Sequence, residues 1–352
     1  MFTQMGFEGA LYDSSMAPQK SLNADLVLLN PQFETVYTVR SFAKDRLYQA
    51  LNVEGVESVS PLYIALGVWT NPKTQLKHTI LVFGIDPGTK ALKFPEVNQN
   101  QSQLQMLNNV IFDQASIPEY GPIPELFKKQ STVETQLNDI NVRVSALFTM
   151  GASFAASGNV ITSDSTFLHI FPARSSNQVQ VGLLKLKQNA DRKQVADNLK
   201  LYLPSDVKVL TAEEFAEKEK SYWVNVTPIG FIFGLGVMVS FIVGVVIVYQ
   251  ILYSEVADYL PEYATLKAMG YKNRYFLAVL AQEALLLAIF GYIPGFIFAI
   301  GLYQLAASAT MLPIFMTVTR SLTVFILTVV MCFVSGTVAM QKLKSADPSD
   351  IF

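Results

Sequence analysis

The sequence predicts an α-helical membrane protein carrying a large α+β extracytoplasmic domain, with three complete C-terminal membrane helices and a truncated first one. Two observations carry this. Hydrophobic residues make up 51% of the 352 positions but are concentrated in the last third, in runs long enough to cross a bilayer. The more polar two thirds before them alternate strand and helix signals without Gly-rich or low-complexity tracts.

Residues 223–254 contain no charge, and their core, 229–252, exceeds the roughly 20 residues that a membrane helix needs. A second run has Glu283 as its one charged residue and predicts a helix over 275–305, a short extracytoplasmic turn over 306–320 around Met311-Leu312-Pro313, and a third helix over 321–340. Lys267, Lys272 and Arg274 lie between the first two of these helices, and Lys342 and Lys344 follow the last. Basic residues favour the cytoplasmic side, which puts the loop 255–274 and the tail 341–352 inside and the segment 12–222 outside. Residues 1–11 are too short to span and lack the basic start of a signal peptide, so they are expected to be the outer remnant of a first membrane helix.

Within 12–222, strands are predicted over 24–30, 59–70 and 77–84, the last two joined across the turn signal Asn71-Pro72-Lys73, with a helix over 44–52. A second set follows at 178–186, 192–203 and 207–210, its helix capped by Asn189 or Asp191 and carrying Val195, Leu199 and Tyr202 on one face. The two sets can share one sheet, with a lobe of about 118–175 inserted between them. Pro118, Pro122 and Pro124 mark its boundary, and 142–171, with Phe148, Phe154, Val160 and Phe167, reads as β-structure. Thr211 with Glu214 three residues on has the form of a capping box. Since no stop signal was read after it, one continuous helix is expected to enter the bilayer, with Tyr222 and Trp223 at the interface.

The chemistry available is sparse. His78 and His169 lie in separate segments, and the sole cysteine, Cys332, falls inside the last apolar run, which excludes an intramolecular disulfide. Ser153 and Ser157 lie in a small-residue loop without the surroundings of a nucleophile elbow. No phosphate-binding loop of the form G-x-x-x-x-G-K-[ST] occurs, and a net charge of −2 gives no footprint for nucleic acid. No catalytic, cofactor or metal site is expected. The apolar runs also lack the ionisable groups of an ion pathway. They offer small-residue pairs suited to close helix packing, Gly230 with Gly234, Ser240 with Gly244 and Gly291 with Gly295.

The loop between the first two runs is the most informative stretch. Pro261 suits a first helical turn, Glu262 complements the positive helix start, and Gly270 suits the residue after the end. A helix this short is marginal alone and needs support from its flanks and a partner. Tyr263, Ala264, Leu266, Met269 and Tyr271 offer apolar contacts, while Glu262 and Lys267 can fix orientation.

Residues 262–271, then Gln282-Glu283-Ala284-Leu285 and Gly291-Tyr292-Ile293-Pro294-Gly295, resemble the FtsX/MacB family of ABC transporter permeases, in particular its cyanobacterial DevC branch. The ending 346–352 is similar to that branch's tail, and residues 55–61 and 84–87 are similar to segments of MacB-type external domains, which have two lobes. The resemblance implies a non-catalytic permease that works as a homodimer and whose short cytoplasmic helix docks on an ABC ATPase subunit, where ATP is bound. It further implies an HlyD-type adaptor, a TolC-like outer-membrane duct and export of a glycolipid drawn from the membrane. A lipoprotein-releasing subunit and an FtsX-like regulator of a cell-wall hydrolase are the alternatives.

Overall fold

The chain was analysed as a computed structural model that describes residues 1–38, 40–153 and 156–345. Phe154 and the tail 346–352 lie outside the described residues. The chain divides into two compact units, one of Leu11–Thr227 with Thr310–Pro313, the other of Met1–Ala10 and Pro228–Ala309 with the C-terminal segment from Ile314. Helix α1 (Phe2–Ser15) crosses the first division.

The first unit holds, in order, α2 (Ala17–Lys20), β1 (Leu26–Leu29), β2 (Phe42–Ala43), α3 (Asp45–Leu51), β3 (Val56–Thr70), β4 (Lys77–Ile85), α4 (Pro95–Gln99), α5 (Gln101–Leu104) and β5 (Asn109–Asp113). It continues through α6 (Ile123–Gln130), β6 (Val133–Leu137), β7 (Ile140–Phe148), β8 (Asn159–Ser163), α7 (Asp164–Ile170), β9 (Gln178–Val179), β10 (Val181–Leu186), α8 (Arg192–Tyr202), β11 (Lys208–Thr211) and α9 (Ala212–Asn225). Nine strands form one sheet in the order β11-β1-β10-β3-β4-β8-β5-β7-β6. The two strand–helix sets of the sequence do share it, through β10 pairing with β1 on one side and β3 on the other.

Strand β3 explains the shape of the sheet. Its first half pairs with β10 as far as Leu62↔Val181, and from Leu62 onward it pairs with β4. At its far end Trp69↔Leu137 and Thr70↔Gln136 join it to β6, closing β3, β4, β8, β5, β7 and β6 into a ring. The inserted segment therefore does not fold as a lobe bounded at 118–175: its strands need β5 and the outer half of the β3–β4 hairpin to complete their hydrogen bonding. Alternation along β1 shows how both faces are covered, because Leu26 and Leu28 join one buried cluster with Leu47 and Leu199 while Val27 and Leu29 join another with Phe33 and Phe215.

Two local readings change. Phe167 lies on helix α7, not on a strand, because Ser163 caps that helix by accepting from the Thr166 N–H at 3.1 Å. The proline cluster does not bound a separate lobe but packs on β3: Pro118 opens a 3₁₀ turn whose Tyr120 is buried, its carbonyl accepting from the Trp69 indole at 3.1 Å. The β6–β7 turn, Asn138-Asp139, has positive φ at both residues, the requirement of a tight type I′ hairpin.

The second unit contains α10 (Ile229–Asp258), α11 (Leu260–Ala268), α12 (Asn273–Thr310) and α13 (Val318–Ser345). Three of these, α10, α12 and α13, are long and apolar enough to cross a membrane. Helix α12 runs five residues past the predicted end at 305, shortening the turn that follows. Residues 1–10 group with these helices; the Tyr303 hydroxyl donates to the Phe2 carbonyl at 2.6 Å, and the Phe2 ring lies 5.7 Å from Tyr292 and 6.0 Å from Phe296.

The expected continuous helix from 211 to 252 is broken. Helix α9 ends at Asn225, and α10 begins at Ile229 after Pro228. Proline offers no N–H to the carbonyl four residues back and disfavours helical geometry in the residue before it. Beside the break, the Thr227 hydroxyl donates to the Trp223 carbonyl of its own helix end at 2.5 Å. This break coincides with the division between the two units.

Candidate functional site: a short capped helix between two apolar helices

Helix α11 is built as the sequence suggests and closed more tightly than its length requires. Pro261 sits in the first turn with Glu262 beside it, and Lys267 is in the last turn. Met269 caps the end, and Gly270 follows with φ +96°, a conformation that side chains rarely adopt. The Gly270 N–H donates to the Lys267 carbonyl at 3.1 Å and the Tyr271 N–H to the Leu266 carbonyl at 3.2 Å. This bond pair is a Schellman cap, and it satisfies the carbonyls that a helix end leaves open.

The apolar residues proposed for a partner divide into two sets. Leu260, Tyr263 and Leu266, at a spacing of three, pack on a small cluster of Val256, Phe276 and Leu280 from α10 and α12. The Tyr263 ring meets Phe276 edge-on at 5.7 Å. Tyr263 and Leu266 are thus spent largely on holding the helix to its own flanks. Pro261, Glu262, Met269, Gly270 and Tyr271 are exposed, with Met269 at 64% and Tyr271 at 45%. Lys267 is half-buried, and the Ala264 side chain lies outside the described residues. The presented surface is therefore the two ends of α11, with Thr265 exposed between them, and the turn after it.

The small-residue pairs also divide. A Cβ on Gly244 would lie 2.1 Å from the Met331 sulfur of α13, so this glycine permits a close approach. Ser240 donates to the Gly236 carbonyl of its own helix at 2.8 Å. Gly230 is half-buried, while Gly234, Gly291 and Gly295 face open space, so the pair on α12 packs nothing within the described chain.

Sequence reasoning missed one constellation. Glu219 on α9 has no exposed surface, although it lies among charged neighbours in sequence. Its carboxylate accepts from the Thr35 hydroxyl at 2.5 Å, the Val36 N–H at 3.0 Å and the Trp223 indole at 3.0 Å. Burial raises its pKa above the ordinary carboxylate value, and the bonds from Thr35, Trp223 and Val36 oppose that rise. Tyr37, raised mainly by burial, shares a 2.8 Å hydrogen bond with the Ser153 hydroxyl and lies edge-on to Trp223 at 6.2 Å. The signal was available: Phe215, Glu219 and Trp223 recur every four residues, which places the glutamate inside an apolar stripe.

Nothing in this geometry brings a nucleophile, base and orienting group together. His78 stacks edge-on with Tyr120, and His169 is bonded to Asn108 at 2.8 Å in a different part of the ring. Among the described residues no group of three or more His, Cys, Asp or Glu could hold a metal ion.

Residues 224–348 match the family described as FtsX-like permease C-terminal. No curated protein matches the chain. Among solved structures, the periplasmic region of MacB from Actinobacillus actinomycetemcomitans is similar at 13% identity and a TM-score of 0.38, over 56% of this chain and 92% of that one. The extracellular domain of the noncanonic ABC-type transporter YknZ from Gram-positive bacteria aligns at 12% identity and a TM-score of 0.37, over 53% of this chain and 99% of that one. A domain of a putative permease from Porphyromonas gingivalis aligns at 9% identity and a TM-score of 0.29, over 53% and 87%.

Proposed function

We propose that the chain is the permease subunit of an ATP-driven ABC exporter of the FtsX/MacB kind, resident in the inner membrane with its α+β domain in the periplasm. The observation that carries this reading is the match of 224–348 to FtsX-like permeases, which contains α11 and its flanking helices. An ATPase subunit would grip the exposed ends of α11, and the packing of Leu260, Tyr263 and Leu266 on Val256, Phe276 and Leu280 would pass its motion to α10 and α12. The motion would then reach the domain across the break at 226–228. No phosphate-binding loop is present in the sequence, so ATP would be hydrolysed by the partner.

The finer reading follows the DevC resemblance: two permease copies, an HlyD-type adaptor, a TolC-like duct and a glycolipid taken from the membrane. A lipoprotein-releasing role or control of a cell-wall hydrolase would use the same docking helix with a different external partner.

The test is whether the tagged chain co-purifies from its own cells with an ABC ATPase, followed by ATPase assay of that complex in vesicles. Glu262→Lys is expected to reduce permease-stimulated hydrolysis at least fivefold while the protein still inserts. Unchanged stimulation would remove the docking role from α11.

A further inference from the structure

The face that α9 turns inward is the line Phe215, Glu219 and Trp223. The segment 33–37 lies along this line in a register of two against four. Phe33 meets Phe215 edge-on at 5.2 Å, Thr35 and Val36 donate to Glu219, and Tyr37 meets Trp223. The segment is itself stapled at its base, where the Asn30 side chain donates to the Ser41 carbonyl at 2.8 Å and accepts from the Gln32 N–H at 2.9 Å. Ser153 holds its far end through the Tyr37 hydroxyl.

Helix α9 is thus fixed along its length. At its start, Thr211 is both the last residue of β11 and the helix cap, receiving the Glu214 N–H at 3.0 Å while its own N–H donates to the Glu214 carboxylate at 2.7 Å. In the middle, a slide or roll of α9 would strand a buried carboxylate and two donors of the segment 33–37 at once, the costliest way to lose a polar contact. Past Trp223 the clasp no longer reaches the helix: Val224 and Val226 are 37% and 68% exposed, the Val226 N–H makes the closing bond to the Tyr222 carbonyl at 2.9 Å, and helical geometry stops before Pro228.

We propose that residues 33–37 form a clasp, with Glu219 as its positioning residue, which makes α9 part of the domain and leaves the break between α9 and α10, at residues 226–228, outside that hold. The apolar ends of the clasp supply contact area, whereas Glu219 supplies register, because only one setting of the helix lets its carboxylate meet both Thr35 and Val36, while Trp223, one turn on in the same helix, holds the carboxylate in place. This concerns the domain's own fold and holds whether or not an ATPase docks on α11.

Amide hydrogen exchange of the full chain in detergent micelles tests it, since exchange reads local opening segment by segment. In the wild type, residues 214–223 are expected to exchange as slowly as β1 and β10, with Val226 and Thr227 at least tenfold faster. Glu219→Ala is expected to speed exchange at least tenfold in 33–37 and 214–223 while leaving β3 and β4 unchanged. Tyr37→Phe keeps all three donors on the carboxylate and should change 214–223 by less than threefold. If Glu219→Ala does not yield folded protein, Glu219→Gln, which retains one acceptor oxygen, should raise the same two segments two- to tenfold. Wild-type exchange in 214–223 as fast as at 226–227, or no response of 214–223 to any Glu219 substitution, would overturn the proposal.

Discussion

Ser335 of α13 donates its hydroxyl to the backbone carbonyl of Val245 on α10 at 2.9 Å, as well as to Met331 of its own helix at 2.8 Å. Ser335 is fully buried, and one turn before it Met331 fills the space left by Gly244. A polar bond and a missing side chain therefore set the same helix pair at the same depth. Such bonds between membrane helices contribute modestly, on average about 0.6 kcal/mol, so the fit around Gly244 is the larger determinant.

Gly244→Leu is accordingly expected to cost about 1–3 kcal/mol, the usual penalty of overpacking. Thermal unfolding in detergent should show a lower midpoint for this variant. Met331→Ala added to it should recover most of the loss, while Gly234→Leu, on a face that meets nothing, should have little effect.

Gly270→Val would force a branched residue into the left-handed turn that closes α11 and should cost about 1–2 kcal/mol locally. Exchange over 260–271 is expected to rise, with α10 and α12 unchanged. Gly270→Asn should be milder, since asparagine tolerates this geometry.

Glu219 gives a pH dependence whose sign is fixed by its raised pKa. The folded domain holds this proton more tightly than the unfolded chain, so the contribution to stability is present at low pH and is lost as pH rises through the raised value. The difference in unfolding midpoint, wild type minus Glu219→Gln, should therefore fall as pH rises from the ordinary glutamate value upward. A difference that grows over this range would contradict the burial that raises it.

Pro228→Ala restores the missing N–H and removes the steric bar on Thr227. Exchange at Val226 and Thr227 is expected to slow at least threefold as the two helices join. An unchanged rate would mean that Pro228 does not cause the break.

Much of this was legible from local chemistry. Apolar runs located the three long helices, the Thr211–Glu214 box located the start of α9, and Pro261 with Gly270 bounded α11 to within a few residues. What escaped depended on partners far apart in sequence. The closure of the ring rests on two residue pairs between β3 and β6, which no local pattern of either strand announces. Glu219 was hidden because a glutamate among Glu213, Glu214 and Glu217 reads as solvated, and only the segment 33–37, about 180 residues earlier, supplies its donors. The break at Pro228 was visible in principle, but the uncharged run around it outweighed a single residue. On α11 the sequence pattern left out Leu260 and could not separate the inward pair, Tyr263 and Leu266, from the outward Met269 and Tyr271.

An unbroken helix resists bending and twisting alike, so it would deliver torque together with push. A joint of three residues transmits tension well but lets rotation dissipate before it reaches the next element. The chain also passes between the units within α1, an unbroken helix over Phe2–Ser15, so the joint at 226–228 loosens one connection and leaves that other one stiff.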